Sequence, residues 1–324
     1  MRFPGDPEGA APSRPREEEE SSMRLSIRSY KPLAGLALLT AIWGYNWVVM
    51  KKSLAFMGPF DFNAARMAMG ALVLMGFMAW KGLSLRPRNA VLIALLGFSQ
   101  TAAGTGLIMW ALVSGGAGKT AILVYTMPFW IMIFAWIFLG EKFGGLYWTP
   151  VSASFVGLVF LLEPWSMGGT FMSKILAVLA GVCWGVGAVF IKMLQKREGF
   201  DLLSVTAWQT FFGALPLIVT AFLIPSEPVT WTPYLVGAMI YNGLLVSALA
   251  FILYINVIRN LPAGVGGMGL LAIPVIGMTS SWIEMGERIN DWEAGGITLI
   301  LAALGALCFL RLKENHRIQQ EGNR

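Results

Sequence analysis

Apolar positions in this chain come in unbroken runs of 18 to 25 residues, separated by short clusters of Gly, Pro and charge. The breaks read "KGLSLRPRN", "QKREGFD", "IPSEPVTWTP" and "ERINDWE". A helix needs about 20 apolar residues to cross the roughly 30 Å of hydrocarbon in a bilayer. Ten runs meet that length: 32–50, 59–80, 90–113, 118–139, 145–162, 174–191, 202–223, 233–257, 263–283 and 293–311. The pattern predicts an all-α, polytopic membrane protein with ten transmembrane helices.

The runs are written twice. "WGYNWVVMK" at 43–51 returns as "WGVGAVFIK" at 184–192, and "AGKTAILVYTMP" at 117–128 lies over "AGVGGMGLLAIP" at 263–274. Each of the latter two segments ends in a Pro, and thirteen residues on is the Glu of a Gly-Glu pair followed by a base: Gly140-Glu141-Lys142 and Gly286-Glu287-Arg288. "SFVGLVFLL" at 154–162 lies over "AALGALCFL" at 302–310, so the offsets run 141, 146, 146 and 148. Two five-helix repeats follow, at 32–162 and 174–311. Five crossings return the chain to the opposite side of the bilayer, so the second copy starts inverted. Inverted copies related by an in-plane two-fold build a molecule that can open to either side.

Composition agrees with lipid as the solvent. Of 324 residues 56% are hydrophobic and 13% charged, against about a quarter charged in soluble domains. Basic residues are sided: with the N-terminus inside, fourteen of the Lys and Arg between Arg24 and Arg317 fall in cytoplasmic segments and five on the opposite side, as retention of positive loops requires. Both termini are therefore expected in the cytoplasm, at a cell membrane. That same bias accounts for the net charge of +6 without a nucleic acid partner. Residues 1–31 read as a cytoplasmic N-terminal tail, disordered over its Pro-rich and Glu-rich first 22 positions, within which Met23 offers a second start; 312–324 read as a C-terminal tail. The first apolar run lacks a cleavage pattern and reads as an uncleaved span. Cys183 and Cys308 both fall inside runs, which indicates neither a disulfide nor a zinc site.

The ten spans, the paired "WGxxxxxxK", the mid-helix Pro of the fourth span in each half and the "GE" that closes it resemble the EamA family of the drug/metabolite transporter superfamily. The resemblance covers about residues 32–311. It implies a carrier of two inverted five-helix repeats, commonly an exporter of amino acids or other small metabolites, with relatives that move nucleotide sugars or drugs.

Candidate residues follow from the cost of polar groups in hydrocarbon, which must pair or face a cavity. Asn46, Gln209 and Asn256, with the aromatics Trp47, Trp110, Tyr125, Trp184 and Trp208, are the candidate substrate contacts; interhelical glue for the amides and lipid or core packing for the indoles are the alternatives. Gly44 and Gly185, each four residues after a small one, allow close helix approach and are candidate pivots. Pro128 and Pro274 remove an intrahelical donor and free the carbonyls of Val124 and Leu270, making candidate hinges. Arg66 is the one charge clearly inside a span; it can snorkel, pair with Asp61 or meet an anionic substrate group. Glu141 and Glu287 read as interfacial partners of the adjacent Lys142 and Arg288, and Glu284 is the best remaining carboxylate for proton coupling.

These residues suit a small, partly apolar substrate moved across the membrane by alternating access. Amino acids and similar metabolites fit; drug efflux is the alternative, and a nucleotide sugar fits less well because its diphosphate would need several buried bases. The single histidine, His316, is in the tail, and no carboxylate stands at mid-depth, so transport down the substrate's own gradient is expected. With no membrane His, HExxH, GxSxG or paired intramembrane Asp, the chain is not expected to be an enzyme. No metal or cofactor is expected, and nothing here decides between monomer and homodimer.

Overall fold

A computed structural model describes residues 15–165, 170–260 and 269–322. Ten helices follow in order: α1 (Pro15–Ser53), α2 (Pro59–Trp80), α3 (Ala90–Ser114), α4 (Ala117–Leu139), α5 (Gly145–Leu162), α6 (Phe171–Gln195), α7 (Leu202–Leu223), α8 (233–260), α9 (Ala272–Met285) and α10 (Asp291–Gly322). Nine helices among the described residues are long and apolar enough to cross a membrane. The exception is α9, whose expected first turns at 263–268 lie outside the described residues.

Helix boundaries obey local chemistry. The Asp201 carboxylate accepts from the Ser204 amide at 2.8 Å to start α7, and the Thr232 hydroxyl accepts from Leu235 at 3.2 Å to start α8; each satisfies a backbone donor that no carbonyl can reach. At the other end, α4 and α9 stop at Gly140 and Gly286 with φ of 65° and 63°, a left-handed conformation that glycine adopts without a Cβ penalty. The duplicated "GE" is thus a duplicated helix stop.

Packing makes the duplication spatial. Helix α2 packs on α7 and α5 on α10, each against its own counterpart. Helix α1 packs on α8 and α9, while α6 packs on α3 and α4. Exchanging the halves maps every one of these pairs onto another, which is the signature of a two-fold axis through the bundle. Leu39, Phe62, Leu74, Phe129 and Met132 are fully buried, whereas Leu72, Trp80, Phe138 and Phe222 stand out from the bundle, as lipid-facing side chains do.

The tails differ from the sequence expectation. Helix α1 already begins at Pro15 and α10 continues to Gly322, so 15–31 and 312–322 extend the first and last spans as helix. Residues 1–14 lie outside the described residues.

Candidate substrate site

The two copies of the Trp-Gly motif meet the opposite half at equivalent places. A Cβ on Gly44 would stand 2.6 Å from the Cβ of Ile276 in α9, and one on Gly185 would stand 2.7 Å from the Cβ of Trp130 in α4. Trp130 and Ile276 each lie two residues past the mid-helix proline. The candidate pivots and the candidate hinges are therefore one contact, made twice.

Both hinge helices are interrupted just before their proline. Helix α4 comprises Ala117–Val124 and Met127–Leu139, with Tyr125 and Thr126 in a turn between them, and Pro128 in the first turn of the second piece. The Val124 carbonyl that Pro128 leaves without its helical donor is packed at 3.1 Å from where a Cβ on Gly181 would be. In α9 the break is at Leu271, and Pro274 sits in the first turn that follows.

A second pair of irregular segments was not foreseen. Helix α3 carries a π-helical stretch over Gly97–Gly104, and α8 carries one over Tyr241–Leu249 between Pro233–Ile240 and Ala250–Asn260. A π turn bonds i to i+5, widens the helix and re-aims its carbonyls; such turns recur at functional sites. Each stretch receives a tryptophan of the motif from the opposite half. The Trp43 indole donates to the Val246 carbonyl at 3.2 Å and its ring rests on Tyr254 and Phe251, with centroids 5.7 and 5.8 Å away. The Trp184 indole lies against Gly104, where a Cβ would come within 2.9 Å of it. Gln100 donates to the Trp184 carbonyl at 3.3 Å.

The equivalence stops at the polar atoms. The Trp43 N–H is used, but the Trp184 N–H is buried without a partner, as are the Asn46 Oδ1 and the Trp208 N–H. Buried polar atoms are nearly always paired, which singles these three out among the described residues. All three belong to the candidate contacts.

The other candidates distribute as follows. Tyr125 occupies the break in α4 and packs against the main apolar core. Trp208 packs on Phe211 and Phe212 among α3, α6 and α7. Gln209 is buried beside the first π stretch, where its own carbonyl meets Gly97. Asn256 lies near Gly35 of α1. Trp47 is enclosed in the main apolar core against Gly277, and Trp110 is half exposed, edge-on to Phe60; neither joins the group around the π stretches. Arg66 is buried between α2 and the second π stretch and does not reach Asp61, whose carboxylate is taken by the Ser226 hydroxyl.

The two faces of the bundle are fastened differently. At the face where α1 ends, Lys174 meets Glu163 at 3.0 Å and Glu293 at 3.2 Å, Lys119 meets Glu293 at 2.7 Å, and Asn290 donates to Glu163 at 2.8 Å. Glu163, Lys174 and Glu293 are buried. Glu287 does not pair with Arg288; it accepts the amides of Gly118 and Lys119 at 2.9 and 3.1 Å, at the start of α4. Glu284 is taken by Lys52. At the face where α1 begins, Glu141 pairs with Lys192 of the other half at 2.7 Å rather than with Lys142, and both are partly exposed. Both acids of the duplicated motif thus bind the opposite half rather than the neighbouring base, a link that order along the chain does not carry.

No group of three or more His, Cys, Asp or Glu placed to hold a metal occurs among the described residues. A two-fold helical bundle with interrupted helices at its crossing and unpaired polar atoms beside them defines a membrane transporter built from inverted repeats. The chain belongs to the EamA-like transporter family, whose model matches residues 32–163 and 172–309, one match to each half. It is similar to the "Uncharacterized transporter YoaV" of Bacillus subtilis, 27% identical over 284 residues covering 86% of this chain and 94% of that one. It is also similar to the "Probable amino-acid metabolite efflux pump" of Salmonella typhimurium, 22% identical over 82% of this chain and 91% of that one. The "Riboflavin transporter" of Rhizobium johnstonii is 27% identical over 67% of this chain and 68% of its own. A solved crystal structure with 15% identity covers 87% of this chain and 98% of its own with a TM-score of 0.60, which shows a shared fold. The protein is a multi-pass membrane transporter, not an enzyme.

Proposed function

We propose that this transporter exports amino acids or closely related small metabolites across the cell membrane by alternating access, with both termini in the cytoplasm. The observation that carries the reading is the set of unpaired buried atoms, Asn46 Oδ1, Trp184 Nε1 and Trp208 Nε1. Two donors on α6 and α7 and an acceptor on α1, each set among apolar and aromatic side chains, suit a small, partly apolar cargo. The amino-acid metabolite efflux pump among the relatives is consistent with that class.

The mechanism follows from the two-fold. Gly44 on Ile276 and Gly185 on Trp130 are the tight points about which one half rocks on the other. The face where α1 ends, latched by Glu163, Lys174, Glu293 and Lys119, is the closed outer gate. The opposite face, with its excess of bases and the partly exposed Lys192–Glu141 pair, is cytoplasmic. Rocking breaks the outer latch and closes the inner side, and substrate leaves down its own gradient.

Counterflow in proteoliposomes tests this. Vesicles loaded with unlabelled amino acids should accumulate the labelled compound transiently above equilibrium, and protein-free vesicles should not. Exchange of hydrophobic drugs with no exchange of any amino acid would replace the proposal by drug efflux.

A further inference from the structure

Arg66 is buried, and among the described residues it meets no carboxylate. Its Nε donates to Asn63 Oδ1 at 2.9 Å and its Nη1 to Asn242 Oδ1 at a long 3.5 Å. A guanidinium has five N–H donors, so three remain without an acceptor there. Both amides are themselves held: Asn63 donates to Thr105 at 2.9 Å and Asn242 to the Ala238 carbonyl at 3.0 Å. They fix the guanidinium by neutral contacts and leave its charge uncompensated, which is costly in a low-dielectric interior unless an anion arrives.

The two-fold tells packing from function here. Gly70 receives Ser247 of the opposite half and Gly213 receives Thr101, and these pairs are equivalent, 143 and 146 residues apart. The same offset of 143 carries Arg66 onto Gln209. The second half thus makes the same helix crossing, equally buried, with a neutral side chain. The crossing does not require a charge.

From this unneutralised guanidinium, held by Asn63 and Asn242 at a place its symmetry mate fills with Gln209, we propose that Arg66 is the anchor for the carboxylate of the transported substrate. The N–H groups still open on it match the two oxygens of a carboxylate. The inference rests on the carrier reading and narrows it: the cargo is an acid, and substrates lacking that group are discriminated against.

The test is counterflow of L-phenylalanine and L-leucine against their carboxamides, in wild type, Arg66→Lys and Arg66→Gln. Loss of a charge-assisted contact costs about tenfold or more, so wild type should exchange the acid at least tenfold faster than the amide. Arg66→Lys should retain part of that ratio and Arg66→Gln should bring it near one. A ratio near one in wild type, or an undiminished one in Arg66→Gln, overturns the proposal. Thermal stabilisation of the detergent-purified wild type by the same four compounds reads the preference without transport and without a variant. Stabilisation by acid and amide alike, or equal stabilisation by acetate or chloride, means a resident ion or none, and overturns it as well. Exchange of other compounds but of no acid sinks the anchor and leaves the carrier standing; exchange of nothing sinks the carrier reading, while acid-selective stabilisation would still support the anchor.

Discussion

Gly185 of α6 lies so close to Trp130 of α4 that an added methyl group would sit 2.7 Å from the tryptophan Cβ, and Gly44 bears the same relation to Ile276 at 2.6 Å. The duplicated Trp-Gly motif is thereby explained as a requirement for close contact between the halves on each side of the molecule. The contact sets the first prediction.

Gly44→Ala should destabilise the detergent-purified protein by about 1–3 kcal/mol, the usual cost of overpacking. Ile276→Gly combined with it should recover part of that loss, because the clash is with the Cβ and Cγ2 of that side chain. Thermal unfolding of the single and double variants measures it, and strictly additive losses would contradict the contact.

Trp184→Phe deletes a buried N–H that has no partner in the protein. No hydrogen bond is lost, so the loss of stability should be only that of the smaller ring, about 1–3 kcal/mol, while counterflow slows several-fold. Asn46→Ala should likewise lower transport at unchanged membrane expression. Unchanged rates in both variants remove these residues from the site.

Lys174→Met leaves Glu163 and Glu293 buried without their shared base. Breaking one partner of a buried pair costs about 3–5 kcal/mol, and that cost falls on the latched state alone. Thr120→Cys, whose position lines a cavity of about 240 Å³ at that face, should react with a methanethiosulfonate reagent roughly tenfold faster when Lys174 is also changed. Equal labelling with and without Lys174 would show that the network is no gate.

Carboxylates nearest the bundle among the described residues are committed: Glu141 to Lys192, Glu284 to Lys52, Glu287 to the start of α4 and Glu293 to Lys119 and Lys174. Emptying of substrate-loaded vesicles should therefore proceed at the same rate with and without a protonophore. Strict dependence on a proton gradient would refute transport down the substrate's own gradient.

Much of the architecture could be read from order alone. Run length gave the spans, and the nearly equal offsets of the "WG" and "GE" pairs gave two copies of five, because lipid demands length and symmetry demands repetition. The prolines at 128 and 274 announced the interrupted helices, since a ring without an N–H cannot be hidden. The π stretches at 97–104 and 241–249 left no such mark. They change which carbonyl each amide finds while keeping the apolar pattern, so no periodicity reports them.

What the sequence determined by itself was the set of elements, their number, their duplication and their inversion, each fixed by hydrophobicity along the chain. Tertiary structure alone decided the partners: Trp43 bonded and Trp184 not, Glu141 on Lys192 rather than Lys142, Trp47 in the core, Arg66 without an acid. Partnership depends on which side chains two halves bring within about 3 Å of each other, and residues more than a hundred positions apart carry no local trace of that distance.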